Sequence, residues 1–178
     1  MSKNVMVDIE SLSTTPQCAI LSIGACTFDN LGLAEEFYCN VSIADHREVE
    51  PSTLLFWFDQ VKQGIDCPLV VDALPLKEVL LTFETWLIDH ADRDFQIWAN
   101  GITFDISALE DAWRQTLGTK PLPWKYNSMR DARTVYKLLD PTKSLQPPLN
   151  IHKHHALEDA KWQAEYLIKI LNHHDCWE

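Results

Sequence analysis

The chain has 178 residues, 46% of them hydrophobic and 23% charged, a length and balance that suit one globular domain spanning residues 1–178 and exclude wholesale disorder. The net charge of −11 excludes the simplest nucleic-acid binder, which depends on a broad basic face, but not an enzyme that handles phosphates through metal ions held by carboxylates. No stretch reaches the roughly 18 apolar residues of a membrane span, and the opening MSKNVMVDIE lacks an apolar core of signal-peptide length. The five cysteines (Cys18, Cys26, Cys39, Cys67, Cys176) are scattered with no CxxC pair, which predicts a reducing, cytoplasmic protein.

In chain order, Val5–Ile9 is a short apolar run and reads as a buried strand. Cys18 to Phe28 is a second such run, closed by the turn Asp29-Asn30-Leu31-Gly32, and Glu35 to Val41 reads as a third. Three strands with short connections predict an antiparallel meander. Pro51 and Ser52 open a helix through Gln60. Leu76, Val79, Leu80, Phe83 and Leu87 mark an amphipathic helix, and Phe95–Ala99 a fourth strand. Ile106, Leu109, Trp113 and Leu117 give another helix, ended by Gly118. A short fifth strand is expected near Tyr126, then a helix over Ala132–Leu139 and a last one striped by Leu157, Ala160, Ala164, Leu167 and Leu171. Segments 44–50, 63–73 and 142–150 read as loops. Trp86, Trp113 and Trp162 fall within helices and read as packing residues. The order predicts an α/β layer fold on a mixed sheet.

Three motifs could carry chemistry. Asp8 and Glu10 stand at i and i+2 of a strand, so both carboxylates point to one face, where they repel unless a cation sits between them. An exposed strand end is the plainer reading of that pair. Asn100 to Asp105 follows the fourth strand and puts Asp105 at the first turn of a helix, where α/β sheets place their sites. An ordinary helix-start aspartate would look the same. His152, His154 and His155 precede a helix whose first turns carry Asp159 at the edge of the apolar stripe. A solvated histidine run or a zinc site built from these three histidines is the competing reading.

Taken together and in this order, the motifs resemble the DEDDh class of 3′–5′ exonucleases, the DnaQ-like branch of the ribonuclease H-like fold. The matching residues are Asp8/Glu10, Asn100 to Asp105, and His154 to Asp159. Finer features are similar to phage-type exonuclease A and the small bacterial exoribonucleases. These are the stretch from Asp8 to Ser13 leading into Ala19-Ile20-Leu21-Ser22-Ile23-Gly24-Ala25, the segment from Ser52 to Gln60 with Trp57, and Arg130-Asp131-Ala132-Arg133-Thr134. Ser11 stands where many relatives carry threonine, and His155 is a second candidate base.

The resemblance implies a ribonuclease H-like fold with a mixed five-stranded sheet flanked by helices. It also implies two Mg²⁺ or Mn²⁺ ions held by Asp8, Glu10, Asp105 and Asp159, with His154 taking the proton from the attacking water. Its substrates would be the 3′ ends of single-stranded RNA or DNA. Ser11, Leu12, Trp57, Asn100 and Phe104 would lie along the substrate, with Leu12 or Trp57 as a wedge or stacking surface and Arg130 and Arg133 on phosphates. The same resemblance is compatible with a homodimer and leaves the oligomeric state open. The reading of a different class is a catalytically silent nucleic-acid-binding module on this fold. Retention of every carboxylate counts against it, because a dead site has no physical need for so much like charge.

Overall fold

The computed structural model describes residues 2–43, 46–68, 72–147, 149–150 and 152–177. Strands β1 (Ser2–Ser11), β2 (Ile20–Asp29) and β3 (Gly32–Asn40) form the antiparallel meander. Strand β4 (Ala91–Ala99) pairs parallel to β1, and β5 (Met129–Asp131) parallel to β4. The mixed five-stranded sheet has the order β3-β2-β1-β4-β5. Among the described residues five helices accompany it: α1 (Pro51–Lys62), α2 (Leu76–His90), α3 (Asp105–Leu117), α4 (Ala132–Leu139) and α5 (Ala156–His173).

The two-residue period of β1 divides the interior. Val5, Val7 and Ile9 point into a core with Ile23 and Ile97, closed by Phe83, Leu109 and Trp113 of α2 and α3. Met6 points the other way, joining Cys26 and Phe28 under Ala160, Ala164 and Leu167 of α5 and Ala132 of α4. Asp8 and Glu10 continue that second row. A third cluster ties α1 to the sheet through Leu12, Leu21 and Trp57. Arg47, 7% exposed, donates to the carbonyls of Cys18 and Pro16 and pairs with Asp111 of α3, pinning the segment before α1.

The structure departs from the sequence expectations in identifiable places. Strand β1 runs well beyond the apolar run because it is central, so pairing with β2 and β4 holds polar residues in the ladder. The fifth strand expected near Tyr126 is Met129–Asp131, just past that exposed tyrosine, where Met129 packs against the first core. Of the expected loops, Ala44, Asp45, Leu69, Val70, Val71 and Pro148 lie outside the described residues. No described helix is long and apolar enough to cross a membrane, and none of the five cysteines is joined in a disulfide.

Candidate active site

The carboxyl ends of β1 and β4 open one cleft of about 420 Å³, lined by side chains from β1, α3, α4 and α5. Asp8 and Glu10 enter it from β1. The parallel ladder between β1 and β4 stops at Met6–Trp98, which leaves the Ile9 N–H free of β4. Asp105, the first residue of α3, takes that donor through Oδ1 at 3.3 Å. Its carboxylate is thereby tied to the β1 backbone at Ile9, the residue between Asp8 and Glu10, and it is only 6% exposed.

Asp159 comes from the first turn of α5. Its Oδ1 accepts from Asn150 Nδ2 at 2.7 Å and its Oδ2 from the His154 N–H at 2.9 Å. His154 adopts φ +65°, a left-handed conformation that costs a non-glycine residue about 1 kcal/mol or more and recurs at functional sites. That turn carries its ring into the cleft, edge-on to Phe56 at 5.0 Å between centroids. The loop behind it starts firmly. Asp140 accepts from Ser144 N and Oγ, Leu145 N and the Tyr166 hydroxyl of α5. Burial alone would raise the Asp140 carboxyl, but these donors outweigh it and hold it down at about 2.

One glycine sets the spacing. Asp8 stands opposite Gly24 in the β1–β2 register, and a methyl group on Gly24 would lie 2.1 Å from the Leu157 nitrogen. The backbone at the start of α5 therefore lies directly on β2, beside Asp8. One turn after Asp159, Gln163 donates from Nε2 to Asp8 Oδ1 at 2.8 Å.

The electrostatics follow from crowding acids where water is scarce. Burial raises the Asp8 carboxyl well above the usual range, reinforced by Asp105, Glu10 and Asp159 and opposed by the Gln163 hydrogen bond. Burial, with Asp159 and Asp105, lifts Glu10 to about 8. Burial lifts Asp105 to about 6 against the Ile9 N–H and the nearby Arg133. Asp159 is raised by burial and held back by Asn150 and the His154 N–H. Such a group of acids, all displaced toward the protonated form, fits a divalent cation that would replace the missing protons. Glu10, His154 and Asp159 already offer ligand atoms within 4.8 Å of one another, and oxygen-rich donors suit a hard ion.

The structure brings Asp8, Glu10, Asp105, His154, Asp159, Asn100, Phe104 and Arg133 to this cleft. Arg133 donates to the Asn100 carbonyl at 2.6 Å, which keeps its guanidinium over the rim. The other expected residues fall elsewhere. Leu12 is fully buried, and Trp57 is 2% exposed with its indole N–H given to the Ser11 carbonyl; both pack in the third cluster, and Trp57 also borders a recess beside the cleft. Ser11 spends its hydroxyl on the Ser13 carbonyl and lines an adjoining recess of about 380 Å³ that shares Ile9, Glu10 and Phe104 with the cleft. Arg130 lines a separate pocket, not the cleft. His155 stacks on Tyr38 at 4.2 Å and His152 is exposed, so the three histidines form no common zinc site. Trp162 lines the cleft, contrary to its expected packing role.

Sequence reasoning missed Phe56, Asn150, Gln163 and the part played by Gly24. Gln163 carried a signal: an amide four residues after Asp159 shares its helix face.

The 3′-5′ exoribonuclease Rv2179c-like domain family matches residues 3–171. No curated protein sequence matches the chain. Among solved structures, the chain is similar to exonuclease X in complex with 5′ overhanging duplex DNA, at 18% identity and TM-score 0.64 over 98% of this chain and 94% of that one. It is similar to the nuclease domain of 3′hExo, a DEDDh family member bound to rAMP, at 15% identity and TM-score 0.66 over 96% and 92%. The RNase domain of the yeast Pop2 protein is similar at 13% identity and TM-score 0.61 over 96% and 77%. These likenesses show the fold, that of ribonuclease H-like DEDDh exonucleases.

Proposed function

This chain belongs to the Rv2179c-like 3′–5′ exoribonuclease domain family, and we propose that it shortens single-stranded RNA from the 3′ end with two Mg²⁺ or Mn²⁺ ions. The observation that carries this reading is the convergence of Asp8, Glu10, Asp105 and Asp159, from three separate elements, on one cleft that also receives His154. The four carboxylates would hold the ions. When bound, the ions supply an acidified water and charge stabilisation for the phosphodiester under attack.

The protein's own residues do the rest. Gln163 and the Ile9 N–H fix the Asp8 and Asp105 carboxylates, so little reorganisation is left for the reaction. His154 accepts the proton of the attacking water at its ring nitrogen and returns it to solvent at the cleft mouth. Phe56, 39% exposed beside that ring, limits the directions it can take. Arg133 is the cation placed for a phosphate oxygen at the rim.

The test is degradation of matched end-labelled single-stranded RNA and DNA with Mn²⁺. Stepwise loss from the 3′ end, faster on RNA and arrested by a blocked 3′-OH, is expected. Faster loss from DNA would reassign the substrate, and undiminished release from a blocked end would overturn the polarity. Within the same assay, His154→Ala should lower turnover by about two orders of magnitude, the usual worth of a general base, while His155→Ala keeps most of its activity. The reverse ranking would move the base to His155.

A further inference from the structure

We propose that a second pocket, at the opposite end of the α4/α5 face of the sheet, holds the part of a single-stranded nucleic acid that extends beyond the cleft; this rests on the reading of the cleft given above. The pocket encloses about 590 Å³. Along β1, the same row of side chains that ends in Asp8 and Glu10 begins with Asn4, which lines it. The core around Met6 separates the two sites.

Its chemistry is unlike the rest of an acidic chain. Lys3, Arg93 and Arg130 line it, and none of the three enters an ion pair among the described residues. Among the described residues Arg130 hydrogen-bonds to the neutral carbonyls of Asn127 and Met129. Of the acids at the rim, Asp94 is paired with Lys125 and also feels the charge of Arg93, while Asp92 has no ion-pair partner among the described residues. Two indoles complete the lining. Trp98 gives its N–H to Asn4 and Trp177 gives its own to Asn172, so what they offer a ligand is aromatic surface. Gln96 adds a buried side-chain oxygen with no hydrogen-bond partner among the described residues. Cations for phosphates, indole faces for bases and an amide awaiting a donor are what a sequence-tolerant single-strand site requires.

A route joins the two sites. Strand β5 is the edge of the sheet, Arg130 stands opposite Trp98 in its register, and Arg133 of the cleft follows three residues later. The two arginine backbones are therefore at most roughly 10 Å apart. A strand with its 3′ end at the carboxylates can pass Arg133 and Arg130 into the pocket.

The experiment measures binding of the full chain to a fluorescent single-stranded RNA of roughly ten nucleotides, in chelator and over a range of salt. Without metal the cleft repels the strand, so the pocket dominates what is read. Replacing both Lys3→Ser and Arg93→Ser should weaken binding about tenfold and flatten the slope of log affinity against log salt by roughly 1.4, about 0.7 per lost phosphate contact. Trp177→Ala should weaken binding without changing the slope. Hydrolysis of a dinucleotide, too short to leave the cleft, should be unchanged in the double variant. Wild-type affinity and slope in the double variant would overturn the proposal. If no substrate is cleaved with Mn²⁺ while the double variant still loses binding, the catalytic reading fails and the pocket stands.

Discussion

Asp8→Asn should abolish turnover and raise the melting temperature of the metal-free protein. The two effects have one cause. Asp8 is held among Glu10, Asp105 and Asp159 away from water, and folding must either protonate it or bear the repulsion. An asparagine keeps the shape and can still accept from Gln163, but removes the charge. The sign of the pH dependence is fixed. Glu10 is raised to about 8 and Asp105 to about 6, so the folded state binds protons that the unfolded state has released. Their contribution to stability is full below the unfolded carboxylate range near pH 4 and is lost as pH rises through 6 to 8.

Wild type without metal should therefore melt progressively lower from pH 5 to pH 8. Asp8→Asn should match it near pH 4 and exceed it by about 4 °C or more at pH 8, where 1–2 kcal/mol of relieved repulsion would suffice. Mn²⁺ should restore wild type by RT ln(1 + [L]/Kd), roughly 2.7 kcal/mol at a hundredfold excess over Kd, and restore Asp8→Asn less. Turnover should fall by about a thousandfold or more, since a misheld metal forfeits several kcal/mol of transition-state stabilisation. Paired melts with chelator and with Mn²⁺ at fixed ionic strength decide it. A wild type indifferent to metal, with a variant simply less stable, would mean that these carboxylates do not share an ion.

What the sequence made legible was set by local chemistry. The i, i+2 spacing of Asp8 and Glu10 survives any neighbour, because a strand sends alternate side chains to one face. Asp105 was legible as a helix start, but its bond to Ile9 depends on where the β1–β4 ladder ends, which is a tertiary fact. Leu12 and Trp57 follow an apolar, aromatic pattern that serves a ligand or a core equally well, and packing of α1 on β2 decides for the core. The fifth strand was legible only as a place near Tyr126, without bounds, because its three residues carry no period of their own and owe their pairing to β4. Arg130 and Arg133 look alike in sequence, yet the end of β5 separates them into two pockets.

Gly24 is the residue whose role no local pattern discloses, and Gly24→Ala should be the most damaging single-methyl change in the chain. The added carbon would sit 2.1 Å from Leu157 N, 2.2 Å from the Ala156 carbonyl carbon and 2.5 Å from its oxygen. All three are backbone atoms of the first turn of α5, so no side chain can swing aside. Contact at an ordinary distance would require α5 to lift by more than roughly 1 Å, or β2 to bend away from β1. Either movement takes Asp159 and the His154 turn away from Asp8 and Glu10, because Gly24 faces Asp8 in the register. Displacement by about 1 Å costs on the order of a hundredfold in rate where geometry carries catalysis. The same strain should cost about 1–3 kcal/mol of stability, a fall of several degrees in melting temperature. Loss of packing alone would leave the metal response intact, whereas displacement of Asp159 should also shrink the Mn²⁺-dependent rise in melting temperature. Gly24→Ala with near-normal turnover and a full metal response would show that the start of α5 is free to move without disturbing the carboxylates.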